Sequence, residues 1–307
     1  MLLGLKIDVD TYRGTLQGVP HLVEILRRFG AGATFLFSMG PDHTGRAIRR
    51  AFRPGFMNKV SRTSVVSHYG VKTLLYGTLL PGPDIGLRCA DILRGVRDTG
   101  YETGVHCWDH VEWQDKVAHA ESPWVEREMR RARERYEEIL GAAPLAHGAA
   151  GWQMNPHALR LTQRLGYAWS SDCRGTHPFI PVWNAEVVFC PQIPTTLPTL
   201  DEIIGLDGVD EQNAHEALLA RTAAARSDQV FTLHAELEGM KLAPVFERLL
   251  EGWTRQGYRM VPLRDLWEKL DLAKLPRHEM VMGTVPGRSG TLLLQGEEFL
   301  TSWRSAA

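Results

Sequence analysis

Apolar residues occur along this chain in two rhythms. Continuous apolar runs closing on an acidic or imidazole side chain, such as "LLGLKID" at residues 2–8, "YETGVHC", "YAWSSD" and "QVFTLHAE", read as buried strands of a parallel sheet. Between them the apolar spacing changes to that of a helix. Val19, Leu22, Val23, Ile25 and Leu26 form one face, ended by Gly30, and the strand "ATFLFSMG" follows directly. This strand-helix-strand cadence predicts a parallel sheet with right-handed crossovers.

Further helices are predicted from Asp84 ("DIGLRCADILRGVRDTG"), over 121–140 with Ser122 as N-cap and Pro123 in the first turn, over "PHALRLTQRLG", and around 212–226 and 242–256. A strand "EVVFC", the loop "PQIPTTLPTLDE", and a last strand and helix in "YRMVPLRDLWEKL" complete the pattern. From Ala273 onward periodicity is weak. The reading is therefore a single α/β barrel over 1–272 and an irregular tail over 273–307, and 307 residues suit one (β/α) barrel.

From His43 to Pro83 the rhythm breaks. This stretch carries Arg46, Arg49, Arg50, Arg53, Lys59, Arg62 and Lys72 without one Asp or Glu, interleaved with Phe52, Phe56, Tyr69, Leu74, Leu79 and Leu80. Cations mixed with large apolar groups suit contact with an anionic membrane surface, against an ordinary helix and loop packed on the barrel. Over the whole chain 35 basic residues balance 36 acidic ones, so net charge implies no nucleic-acid partner. The four cysteines, Cys89, Cys107, Cys173 and Cys190, have no zinc-knuckle or disulfide spacing, which fits a cytoplasmic protein. "MLLGLKIDVD" reads as a strand and not as a signal peptide, and no apolar run is long enough to span a bilayer.

Polar residues recur where strands end: Asp8 and Asp10, His106, Asp172 and His234. That is the end at which a parallel barrel builds its active site. In "HCWDH", His106 and His110 are four apart, a spacing that stacks two imidazoles on a helical turn; Asp8 or Asp10 supplies a carboxylate. Two histidines and one carboxylate leave a coordination position open, as in a catalytic zinc site.

These residues resemble the polysaccharide deacetylase family, the NodB-homology or carbohydrate esterase family four fold, a deformed (β/α) barrel with five short motifs; here it would carry the basic apolar insertion after its second strand. The resemblance implies Asp8 as general base and Asp10, His106 and His110 as ligands of a divalent metal, whose identity among zinc, manganese, cobalt and iron stays open. "HGAAGW" matches the third motif at Gly151 and Trp152, with His147 near where an arginine is expected. The implied roles are an oxyanion donor at the Trp152 backbone N–H, His234 as the acid for the leaving amine, and Asp172 fixing the tautomer of His234.

"FLFSMGPDHTGRAIRRAF", "HCWDHVEWQDK", "SSDCRG" and "PQIPTTLPTLDE" resemble a subgroup that removes an N-formyl group from an amino sugar carried on undecaprenyl phosphate. That resemblance implies a lipid-linked amino sugar substrate, a place on the cytoplasmic face of the inner membrane, and lipid contact by the basic segment. The oligomeric state is not legible. An N-deacetylase of another amino sugar and a non-catalytic polyprenyl-phosphate binder remain the alternatives.

Overall fold

The computed structural model describes residues 1–47 and 72–300. Strand β1 (Leu2–Val9) is the axis of the fold, with all of its residues buried. Its odd positions, Leu3, Leu5, Ile7 and Val9, join the large core under the helices, while Leu2 joins a second cluster with Leu36, Val230, Val261, Leu263 and Leu266. One continuous apolar run thus hides a period of two, because both faces of the strand are covered.

On one side β1 pairs in parallel with β2 (Thr34–Ser38). On the other it pairs with β8 (Gln229–His234), which sets Asp8 level with His234. The sheet continues from β2 to β3 (Glu102–Cys107), β4 (Ala146–His147) and β5 (Trp169–Ser170), all parallel. β9 (Arg259–Val261) adds to the start of β1. Between β5 and β8 the wall is completed by an irregular segment in "PQIPTTLP": Ile193 N–H donates to Ser170 at 2.8 Å and Leu197 N–H to Val230 at 3.1 Å. Proline-interrupted backbone cannot make a full ladder, which is why this segment reads as a loop.

Helix α1 (Val19–Phe29) ends at Gly30 with φ 60°, the left-handed stop expected. The helix begun at Asp84 breaks at Cys89 into α2 (Ile85–Arg88) and α3 (Ala90–Asp98). After β3 come α4 (His110–Lys116) and α5 (Ser122–Leu140). The N-cap of α5 is Glu121 and not Ser122, which already lies in the first turn beside Pro123. α6 (Pro156–Arg164), α7 (Leu200–Ile203), α8 (Ala214–Ala224) and α9 (Ala243–Arg255) follow. α10 (Leu263–Trp267) plugs the barrel floor: a Cβ at Gly4 would lie 2.5 Å from Leu263 Cδ2.

Two expectations are corrected. "EVVFC" contributes only β7 (Glu186–Val187), the return of a hairpin from β6 (Ile180–Trp183) through Asn184 and Ala185, both with positive φ. The C-terminal region is not an irregular tail. β10 (Arg277–Gly283) runs parallel to β6 and antiparallel to β11 (Leu292–Glu298), giving a second, four-stranded sheet. β10 buries only Met280, so its order comes from pairing with a strand about a hundred residues earlier, which local periodicity cannot report.

Candidate active site

Asp8, Asp10, His106, Asp172 and His234 are delivered by strand ends or the turns that follow them. Even positions of β1 face inward, so Lys6 and Asp8 share one face, and Asp10 follows at the turn. Asp10 is not held by its strand alone. The Glu236 carboxylate accepts from the backbone N–H of Asp10 at 3.0 Å and of Thr11 at 2.7 Å, and from the Thr11 hydroxyl at 2.8 Å.

His106 and His110 do not lie on one helical turn. His106 is the penultimate residue of β3, while His110 is the first residue of α4, whose N-cap Asp109 is extended and accepts from Glu112 N–H at 3.0 Å. The two imidazoles still converge, stacked with centroids 5.4 Å apart. His106 Nε2 lies 3.2 Å from Asp10 Oδ1 and His110 Nε2 lies 3.3 Å from Asp10 Oδ2. His106 Nδ1–H donates to the Gly148 carbonyl at 2.6 Å, which turns the Nε2 lone pair toward Asp10.

Donor atoms of Asp10, His106 and His110 all lie within 4.8 Å of one another. Asp10 Oδ1 and His106 Nε2 are buried without hydrogen-bond partners. Buried acceptors left so close together fit a divalent cation. Burial alone would raise the Asp10 pKa, but His110, His106 and His234 outweigh it and hold the carboxyl below its usual range. A second group, His43, Asp109 and Glu112, is equally close, yet its members are engaged with one another, with Arg46 and with Lys116. It braces the start of α4.

Asp8 Oδ2 accepts from Lys6 Nζ at 3.1 Å, and Asp8 Oδ1, without a hydrogen bond, lies 3.8 Å from His106 Nδ1. The Lys6 side chain is fully buried and its ammonium sits 5.1 Å from the centroid of the Trp152 ring. His234 Nδ1 is buried with no hydrogen-bond partner, and Glu238 accepts the His234 backbone N–H at 2.7 Å. Burial works against a charged His234, but the carboxylates of Asp10, Asp201, Glu238 and Asp8 raise its pKa overall. Burial pushes Glu238 up to about 7, and pushes Glu236 up to about 8 with help from the Asp10 charge.

Asp172 does not touch His234. It is wholly buried and accepts from His147 Nδ1 at 2.7 Å, Ala149 N–H at 2.8 Å and Gln192 Nε2 at 3.2 Å. The His147 ring packs against Tyr167, 5.2 Å between centroids. The pair braces the turn whose Gly148 carbonyl orients His106, and neither residue is hydrogen-bonded to Asp8. The Trp152 backbone N–H is no oxyanion donor, since it donates to Ala149 at 3.0 Å inside a turn with φ 61° at Gly151 and 54° at Trp152.

Of the basic segment, Arg46 is described, bonded to Glu112 at 2.9 Å and to the Gly77 carbonyl at 3.0 Å, and Lys72 is exposed. Arg49, Arg50, Arg53, Lys59 and Arg62 lie outside the described residues. The four cysteines are buried free thiols. Lys6, Glu236 and Glu238 were not anticipated. The alternation that places Lys6 on the face of Asp8 was the available signal.

No family model matches the chain. It is 38% identical over 290 residues, 94% of this chain and 93% of the relative, to a protein of Shewanella sediminis named "Probable 4-deoxy-4-formamido-L-arabinose-phosphoundecaprenol deformylase ArnD". A protein of Wigglesworthia glossinidia brevipalpis with the same name is 32% identical, over 92% of this chain and 98% of the relative. Among solved structures, a "putative polysaccharide deacetylase" from Mycobacterium smegmatis superposes with a TM-score of 0.64 at 17% identity, covering 92% of this chain and 94% of the other. At that identity the likeness bears on the fold, and it agrees with a deformed NodB-type barrel.

Proposed function

Because the chain belongs to the family of 4-deoxy-4-formamido-L-arabinose-phosphoundecaprenol deformylases, we propose that it hydrolyses the N-formyl group of that lipid-linked sugar, releasing formate and the free amine. The observation that supports this reading is the convergence of three potential ligand atoms from Asp10, His106 and His110, with the Asp8 carboxylate and the His234 imidazole level with each other on neighbouring strands.

Asp10, His106 and His110 would hold a divalent ion, which when bound would supply Lewis acidity and lower the pKa of water toward about 7. Lys6 fixes one oxygen of Asp8 and leaves the other facing the site. Asp8 takes the proton from the attacking water as it adds to the formyl carbon. His234, level with Asp8 on the neighbouring strand, protonates the sugar nitrogen as the C–N bond breaks. Glu236 holds the Asp10 turn and Glu238 the His234 backbone, so ligand and acid keep their places relative to each other.

The protein works at a membrane surface, where its substrate resides. Support comes from the acid-free basic segment and from Leu79 and Leu87, 81% and 58% exposed. No described helix is long and apolar enough to cross a membrane. The test is His110→Ala: removing one of three ligands should abolish both bound metal and formate release. Full metal occupancy in that variant would remove His110 from the ligand set.

A further inference from the structure

We propose that Arg288, carried by the turn between β10 and β11, binds the glycosyl phosphate of the substrate, on a platform made by Trp152, Arg174 and Glu202. The proposal rests on the deformylase reading above and names how the same site takes its lipid-linked end.

Arg174 is fully committed. Its guanidinium makes two bonds to Glu202, at 2.6 and 2.8 Å, and one to the Leu197 carbonyl at 2.8 Å, and it lies 5.1 Å from the Trp152 centroid. Arg288 is not committed in this way. Its guanidinium stacks on Trp152 at 4.6 Å and reaches Glu202 only at 3.7 Å, a carboxylate already neutralised by Arg174. Its side chain is 17% exposed, so one surplus positive charge borders solvent on a mostly buried platform. A guanidinium held this way presents a fork of N–H donors suited to a phosphate.

The turn carrying Arg288 is docked. A Cβ at Gly287 would lie 1.8 Å from the Glu202 carbonyl, so only glycine permits that approach. The Gln153 side chain donates to the Thr291 carbonyl, and Arg174 N–H to Leu293 at 3.0 Å. The Trp152 ring carries Arg288 and, at 5.1 Å, the Lys6 ammonium that holds Asp8. The cation is thus one indole away from the group that holds the base. A sugar with nitrogen on C4 must close its ring through O5, which sets the amide and the glycosyl phosphate at opposite ends of one pyranose. Arg288 would take the phosphate at the far end of the ring from an amide held at Asp8.

The test compares the metal-loaded parent with Arg288→Gln on two substrates, the short-chain prenyl phosphodiester of the formamido sugar and its uncharged alkyl glycoside. A lost charged hydrogen bond corresponds to roughly 10- to 100-fold. The ratio of kcat/KM for phosphodiester over glycoside should fall by that factor, mostly through KM, and Arg288→Lys should recover part of it. Arg255→Gln, far from the mouth on α9, should leave the ratio alone. An unchanged ratio in Arg288→Gln overturns the proposal. Calorimetric titration with a short-chain prenyl phosphate decides the point without turnover: parent binding should exceed that of Arg288→Gln at least ~10-fold. Equal affinity of the two proteins, or equal affinity of the parent for inorganic phosphate, overturns it. A parent that binds the prenyl phosphate yet releases formate from neither substrate would refute the deformylase reading and not the subsite.

Discussion

Replacing Lys6 by Met removes the only cation hydrogen-bonded to Asp8 among the described residues and leaves the carboxylate in a buried site. At the observed 3.1 Å separation, an effective dielectric of about 20 gives an attraction of ~5 kcal/mol. Breaking buried pairs by removing one partner costs ~3–5 kcal/mol, because the remaining charge is stranded. A bound metal beside Asp8 offsets part of this, so the loaded enzyme should lie at the low end. For a chain of 307 residues, an unfolding entropy of ~2 cal/mol/K per residue makes 3–5 kcal/mol a fall in Tm of about 5–8 °C. The assay is thermal unfolding with kcat for formate release measured in parallel. Lys6→Met should lose turnover as well as stability, because Asp8 is no longer aimed. The double variant Lys6→Met/Asp8→Asn should regain most of the lost stability and none of the activity, since it strands no charge. A Lys6→Met protein that melts and turns over like the parent refutes the pairing, and a double variant no more stable than the single one refutes the stranded-charge explanation.

Asp8→Asn should keep its metal and lose turnover by ~10²–10⁴-fold; parent-like hydrolysis in the purified variant would assign water activation elsewhere. Asp172→Asn should weaken metal binding ~10–100-fold through the Gly148–His106 contact, without moving the limb of the pH–rate profile that belongs to His234. The Asp172 pKa is lowered: burial raises it, but His147 and the other bonds outweigh that. Its contribution to stability is therefore present above the ordinary carboxylate pKa and lost as pH falls through the depressed one, so parent and variant should differ at neutral pH and converge in acid. Changing Arg49, Arg50, Arg53 and Lys59 together to Glu should release the protein from anionic vesicles, each cation contributing about 1 kcal/mol near such a surface; unchanged sedimentation of the folded variant returns the segment to ordinary packing.

The barrel was legible because its strands are covered on both faces and carry chemistry near their ends: Asp8 in β1, His106 in β3 and His234 in β8. The convergence of Asp10, His106 and His110 is legible in the sequence although its geometry is not, since a spacing of four brings His106 and His110 together as well across a strand end and a helix start as on one helical turn. Lys6 was masked by lying inside an apolar run. The partners of Asp172 and of the Trp152 N–H were illegible, because hydrogen bonds between a strand end and a turn leave no periodic trace. The platform of Trp152, Arg174, Glu202 and Arg288 joins four segments far apart in sequence, and the hairpin carrying Arg288 is ordered by β6.

The most direct test incubates the metal-loaded protein with the N-formyl and N-acetyl forms of the undecaprenyl-phosphate-linked amino sugar and follows formate, acetate and product mass. The account predicts formate and the free amine from the N-formyl lipid, lost on chelation and in His110→Ala, with the N-acetyl lipid turned over far more slowly. Release of acetate at a rate equal to or above that of formate, or no product from either lipid with metal bound at Asp10, His106 and His110, would contradict it.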